Sequence, residues 1–219
     1  MILVLTSIIV LTVDAKTPKD LIIHLPFEEE GGKVAKDISP NKFVDEVKNA
    51  KWVEGVQGKA LEFNEGSVKF EPLKVDEPKE LTIEFWFKPA KKFSGGNRMD
   101  MMYRKNGGGR PHITFNRGGV LFGHYFANKG AELEIRSTFV EFESKWYYFV
   151  ATQDKKKAIM YIDGKVDGEA VSGSDVRFDY IEFGLSIAEN SGGGTFFNGA
   201  VDEVKIWSEA SLPMKSRNP

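Results

Sequence analysis

Between Leu81 and Phe87 the chain reads Leu-Thr-Ile-Glu-Phe-Trp-Phe, and Pro89 closes the run. Leu81, Ile83 and Phe85 therefore share one face of a strand, and Thr82, Glu84 and Trp86 share the other. A period of two belongs to strands, and it recurs along the chain. Strands are expected at 21–25, 59–63 and 67–70, the last two joined by a hairpin at Asn64-Glu65-Gly66. Further runs lie at 113–116, 120–126, 133–139 and 146–152, then at 158–163 and 165–168, with Asp163-Gly164 as the turn between that last pair. Asp-Gly between two apolar runs is a strong hairpin signal. The last strands are expected at 180–184 and 199–207. No helical period longer than about ten residues appears. The expected class is all-β, a sandwich or a barrel.

Composition narrows the functional classes. The 219 residues hold 30 Lys+Arg against 32 Asp+Glu, a net charge of −2, so the basic surface of a nucleic-acid binder is missing. With no cysteine, disulfides, thiolate metal sites and a cysteine nucleophile are excluded. Seventeen Phe and 22 Gly fit aromatic strands joined by tight turns. Gly107-Gly108-Gly109-Arg110 and Gly192-Gly193-Gly194 lack the Lys-Ser/Thr ending of a phosphate loop and read as hairpin tips. Lys155-Lys156-Lys157 reads as a solvated turn.

Residues 1–15, MILVLTSIIVLTVDA, carry no charge from Ile2 to Val13. The run is short of the roughly 20 apolar residues that span a bilayer, and it fits a secretory signal with cleavage after Val13-Asp14-Ala15. A misplaced start, an uncleaved anchor and a buried first strand are the alternatives. Cleavage leaves one domain over 16–219, with no stable membrane insertion of the mature chain and an extracellular location.

Seven phrases in order carry a resemblance. They are Leu25-Pro26-Phe27-Glu28-Glu29; Asp37-Ile38-Ser39-Pro40-Asn41; Trp52 to Gly55 with Gly58 to Phe63; Leu81 to Pro89; Trp146 to Ala151; Met160 to Lys165; and Phe197 to Trp207. Together they resemble the laminin G-like domains of the concanavalin A-like lectin/glucanase superfamily, over about residues 21–208. The resemblance implies a jelly-roll β-sandwich of two antiparallel sheets, one concave, often on secreted or surface proteins. Trp86 and Trp146 are expected as core or inner-face anchors. The resemblance also implies a structural calcium ion: Asp202 matches the aspartate of the last strand that holds it in many relatives. Glu28 matches a position that often helps, although an aspartate is usual there, and a backbone carbonyl near Asn64 would complete the set. The ending after the last strand, Ala210 to Pro219, departs from the family's short leucine-then-acidic pattern.

Glucanases of this superfamily carry Glu-x-Asp-x-Glu on one strand, which sets carboxylates side by side on one face. Glu132-Leu133-Glu134-Ile135-Arg136 comes nearest, with Arg136 in place of the third carboxylate. Glu141-Phe142-Glu143 is a second same-face pair, placed where a turn is expected. No catalytic residue is assigned. His24, His112 and His124 lack metal-like spacing, and His24 is expected to pack in the first strand. Arg110, His112, Asn116, His124 and Tyr125 lie on the middle strands and mix aromatic with polar groups, as sugar binding requires. The leading expectation is a secreted, non-catalytic recognition module that binds a glycan or a surface protein through the concave sheet and loops. A glycoside hydrolase of the same fold and a purely structural or adhesive domain are the alternatives, and nothing in the sequence separates the first expectation from the last.

Overall fold

The structure, a computed structural model, describes residues 20–69, 80–91, 99–104, 110–116, 119–126, 130–138, 142–175, 185–188 and 196–209. These residues form fourteen strands and no α-helix. In chain order they are β1 (Leu21–Leu25), β2 (Val34–Lys36), β3 (Val44–Glu54), β4 (Lys59–Lys69), β5 (Leu81–Pro89), β6 (Met99–Arg104) and β7 (Arg110–Asn116). Then follow β8 (Gly119–Phe126), β9 (Gly130–Arg136), β10 (Tyr147–Gln153), β11 (Lys157–Ile162), β12 (Lys165–Val171), β13 (Leu185–Ile187) and β14 (Gly199–Trp207). The expected segments 1–15, 180–184 and 210–219, both glycine triplets and Glu141 lie outside the described residues.

All pairings are antiparallel, and the fold is the expected jelly-roll. One layer runs β12-β11-β10-β5-β14, with β1 on β14. The other runs β13-β6-β7-β8-β9. Strand β4 belongs to both: Leu61–Phe63 pair with β14, and Val68 and Lys69 pair with β13. This corrects the hairpin expected at Asn64-Glu65-Gly66. Glu65 does take a left-handed φ of 51°, the signal of a turn, but Asn49 opposite takes 47° as well. Lys48 pairs with Ser67 and Ala50 with Phe63, so three residues of β4 oppose one of β3. The result is a bulge that bends both strands across the sandwich. Asp163-Gly164 forms the expected hairpin, with φ of 50° and 74°.

The core is a stack of rings between the layers. Phe87 sits 5.0 Å from Phe115, 5.4 Å from Phe142 and 5.5 Å from Tyr147, ring centre to ring centre, and Phe85 stacks on Phe149 at 4.8 Å. The face of β5 that turns inward is that of Ile83, Phe85 and Phe87, so Trp86 lies on the outer side, half-buried. That corrects its expected place in the core. Trp146 is half-buried just before β10. The free edges meet where the Thr138 hydroxyl donates to Asp167 at 2.6 Å and Gly168 lies against Ile135.

Candidate functional site

On β7, Ile113 and Phe115 are fully buried in the core. The alternate residues, Arg110, His112, Thr114 and Asn116, occupy outward positions of the ladder. Side chains there are ordinarily wet, yet His112 is only 7% exposed and Thr114 2%. The Thr114 hydroxyl and His112 Nε2 are 2.6 Å apart. Across the sheet, Leu133 and Ile135 fill the core and Glu134 and Arg136 turn outward. Those two form an ion pair of 2.8 Å, with the Glu134 side chain 31% exposed and Arg136 58%. The outward positions of β7 and β9 thus hold polar and charged side chains, with His112 and Thr114 buried and Glu134 and Arg136 partly exposed.

The ladder separates the expected contact residues. Arg110 pairs with Tyr125 and Asn116 with Gly119, which puts Arg110, His112, Asn116 and Tyr125 at outward positions. His124 pairs with Pro111 on one side and Leu133 on the other, a core-side position. The register between β7 and β8 sets that parity, and a one-residue slip would reverse it. Thr114 was not anticipated, although its alternation with His112 is the signal. In the glucanase-like run, Glu134 pairs with Arg136 on one strand instead of with a second carboxylate. Glu143 is exposed.

The residues matched to a calcium site divide between two places. Asp202 is fully buried, and its Oδ2 accepts the N–H of Val56 at 2.9 Å and of Gln57 at 3.3 Å. Glu28 reaches the same β3–β4 turn, where both of its oxygens lie 3.3 Å from the Lys59 N–H. Gly55 and Gly58 are needed there because an added Cβ would run into Asp202 and Glu28 respectively. Asn64 lies four residues beyond Ala60 on β4, about 13 Å along the strand, and does not join them. One oxygen has the character of a ligand: Asp202 Oδ1, buried and without a partner. Burial pushes this carboxyl up to about 7, helped by the Glu203 charge and opposed by the backbone N–H bonds. Among the described residues no three His, Cys, Asp or Glu groups cluster to hold a metal.

Sequence reasoning missed a polar network on the outer face of the other layer. Glu84 is 4% exposed, accepts the Trp207 indole N–H at 2.9 Å and also accepts the Tyr148 hydroxyl. Trp86 lies 4.9 Å from the Tyr148 ring, and Val150, Tyr161 and Ile159 pack with them. Beside this cluster His24 Nε2 lies 3.0 Å from Glu203, which Lys205 also contacts. His24 is thus in contact with a carboxylate on the outer side of β1.

A family model of the concanavalin A-like lectin/glucanases superfamily matches residues 63–213. No curated protein matches in sequence. Among solved structures, the binding domain of Paraclostridial Mosquitocidal Protein 1 superposes with a TM-score of 0.72 at 15% identity, covering 89% of this chain and 50% of that one. The binding domain of Botulinum Neurotoxin DC, in complex with SialylT, gives 0.67 at 12% identity, covering 89% and 49%. The chain thus spans about half the length of these toxin domains. Domain 4 of AbnA, an extracellular arabinanase from Geobacillus stearothermophilus, in complex with arabinotriose, gives 0.67 at 16% identity, covering 89% and 94%. At such identities the likeness is one of fold.

Proposed function

This chain belongs to the concanavalin A-like lectin/glucanases superfamily, and we propose that within it the chain is a non-catalytic module that binds a glycan on the outer face of β7–β9. The observation that carries this reading is the run of polar groups on one sheet face, His112 and Thr114 in contact on β7 and Glu134 and Arg136 paired on β9. Polar groups held in place on a sheet face suit a ligand rich in hydroxyls. A protein partner is ordinarily met by aromatic, methionine or arginine anchors at the centre of its interface. Among the described residues the exposed large apolar side chains are Val34, Ile38, Val166 and Val171, the last two on the edge strand β12. The complexes with SialylT and arabinotriose support the same ligand class on this fold.

The test is a glycan array probed with residues 16–219, in calcium and then in EDTA. Specific binding is expected, at least tenfold weaker in Glu134→Ala and Arg136→Ala, a loss of about 1.4 kcal/mol. Silence across the array would contradict the reading. Hydrolysis of a β-glucan that disappears when Glu132 and Glu134 are both changed to Gln would replace it with the hydrolase reading. Secretion and calcium rest on the N-terminal run and on the resemblance. If calcium binds, Asp202 Oδ1 holds it, and its role is to tie the last strand to the β3–β4 turn.

A further inference from the structure

We propose that the loop from Asp37 to Phe43 is a guard on the free edge of β1, and that the partner it keeps out is β1 of a second copy of this chain. The inference is independent of the glycan-binding reading. Among the described strands β1 pairs only with β14, so its other edge presents backbone groups to whatever lies beside it. An apolar edge strand is a template for pairing with another chain. Strand β1 reads Leu-Ile-Ile-His-Leu and holds no Lys, Arg, Asp or Glu. The other edges are blunted differently. Strand β2 is three residues long, and its Lys36 N–H donates to Glu29 Oε1 at 2.8 Å. Strand β12 carries Lys165, Asp167 and Glu169 and meets the end of β9.

On β1 the loop stands in for a strand. Asp37 Oδ1 accepts the His24 N–H at 2.8 Å, and the His24 carbonyl accepts the Ile38 N–H at 2.9 Å. The Ile22 carbonyl accepts the Asn41 side-chain amide at 2.8 Å and lies 3.0 Å from the Ser39 hydroxyl. These edge groups are thus satisfied without continuing the sheet. The Asp37 carboxylate also holds the loop itself, accepting the Ser39 N–H at 2.8 Å and the Phe43 N–H at 3.2 Å. Asp37 and Ser39 are both buried, so the guard is packed into the fold. The register shift between Leu21 and Ile23 adds a bulge, a second device that turns an edge away from partners. The occupant follows from the symmetry of the strand. Laid antiparallel about Ile23, two copies of β1 match Leu21 with Leu25 and Ile22 with His24. The His24 N–H of each copy then meets the Ile22 carbonyl of the other, and these are groups that the guard covers. A two-fold pairing of this kind closes on itself, so its product is a dimer and not a fibre.

The experiment compares the wild type with Asp37→Ala by sedimentation velocity over a range of concentrations, with thermal melts to verify folding. The variant is expected to self-associate at least tenfold more tightly than the wild type, with a limiting mass of twice the chain. Adding His24→Pro removes the N–H that the pairing needs and is expected to return the variant to wild-type behaviour. Gly66→Ala strains the bend of β4 and leaves the guard in place, so it is expected to associate no more than the wild type. If Asp37→Ala does not fold, the double variant Ser39→Ala with Asn41→Ala strips both side-chain donors from the Ile22 carbonyl and carries the same expectation. Association no tighter than wild type in whichever variant folds overturns the proposal. So does association that His24→Pro leaves in place, that Gly66→Ala equals, or that grows beyond a dimer.

Discussion

Glu203 takes a φ of 52°, and the bulge at this one left-handed residue aims two adjacent carboxylates at different partners. Asp202 pairs with Trp86 and Lys205 with Glu84, so β14 carries an extra residue between them. Such a bulge re-aims the side chains beside it. Asp202 turns to the β3–β4 turn and Glu203 to His24 and Lys205. Burial alone would raise the Glu203 carboxyl, but the hydrogen bonds from His24 and Lys205 outweigh it and hold it at about 2. Asp202 lacks such partners on Oδ1 and is pushed up to about 7. Its contribution to stability is complete below the ordinary value of 3.8 and is lost as pH rises through 7. The loss is about 4 kcal/mol at most. Asp202→Asn keeps an acceptor for Val56 and Gln57 and removes the charge. Thermal melts in EDTA are therefore expected to show the wild type losing ground to Asp202→Asn between pH 4 and 8, and a constant difference would contradict that. Added calcium, at a hundredfold excess over its Kd, is expected to restore about 2.7 kcal/mol to the wild type alone. An equal response in both proteins would remove Asp202 from the calcium proposal.

At the scale of elements, Glu84, Tyr148 and Trp207 tie together β5, β10 and β14 on the side away from the core. Tyr148→Phe leaves a buried carboxylate short of one donor, and a hydrogen bond to a charged group is worth about 2 kcal/mol. A denaturant titration is expected to show a loss of that order. Burial, and then the Glu84 charge, holds the Tyr148 hydroxyl far above its ordinary value of 10.0. Its stabilisation is complete below pH 10 and erodes above it, because only the unfolded chain ionises there. Absorbance at 295 nm is expected to show a phenolate missing from the native protein at pH 11 that appears on unfolding and is absent in Tyr148→Phe. Gly66 supports the bend of β4: an added Cβ would collide with the carbonyl oxygens of Lys48 and Asn49. Gly66→Ala is expected to cost about 1–3 kcal/mol, as overpacking does, and a neutral result would show that the two strands can open. These elements also show where sequence reasoning stopped. Runs with clean alternation, β5, β10 and β14, were legible. Strand β3 was not, because Val44–Glu54 interleaves charges with few large apolar groups. Asn64-Glu65-Gly66 carries the chemistry of a turn, and only the partner strand makes it a bulge.

For the molecule as a whole, the jelly-roll was legible because alternation and turn chemistry agree along most of the chain. Which face of β5 turns inward was not, since that depends on the layer packed against it, and Trp86 went outward as a result. The candidate site was legible in part. Alternation on β7 places Arg110, His112 and Asn116 together, but the parity of His124 on β8 depends on the register between the two strands. The burial of outward-facing His112 and Thr114 depends on the packing around β7, which no single segment encodes. The molecule thus carries two polar outer faces: one on β7–β9, where the glycan is proposed to bind, and one on β5, β10 and β14 whose groups are tied to each other. The most direct test between them is a 1H–15N NMR titration with the strongest array ligand. Saturable shifts are expected at His112, Thr114, Glu134 and Arg136, with the Trp86 and Trp207 indole N–H signals unmoved. Shifts centred on Trp86, Tyr148 and Lys205, with β7–β9 silent, would contradict the account.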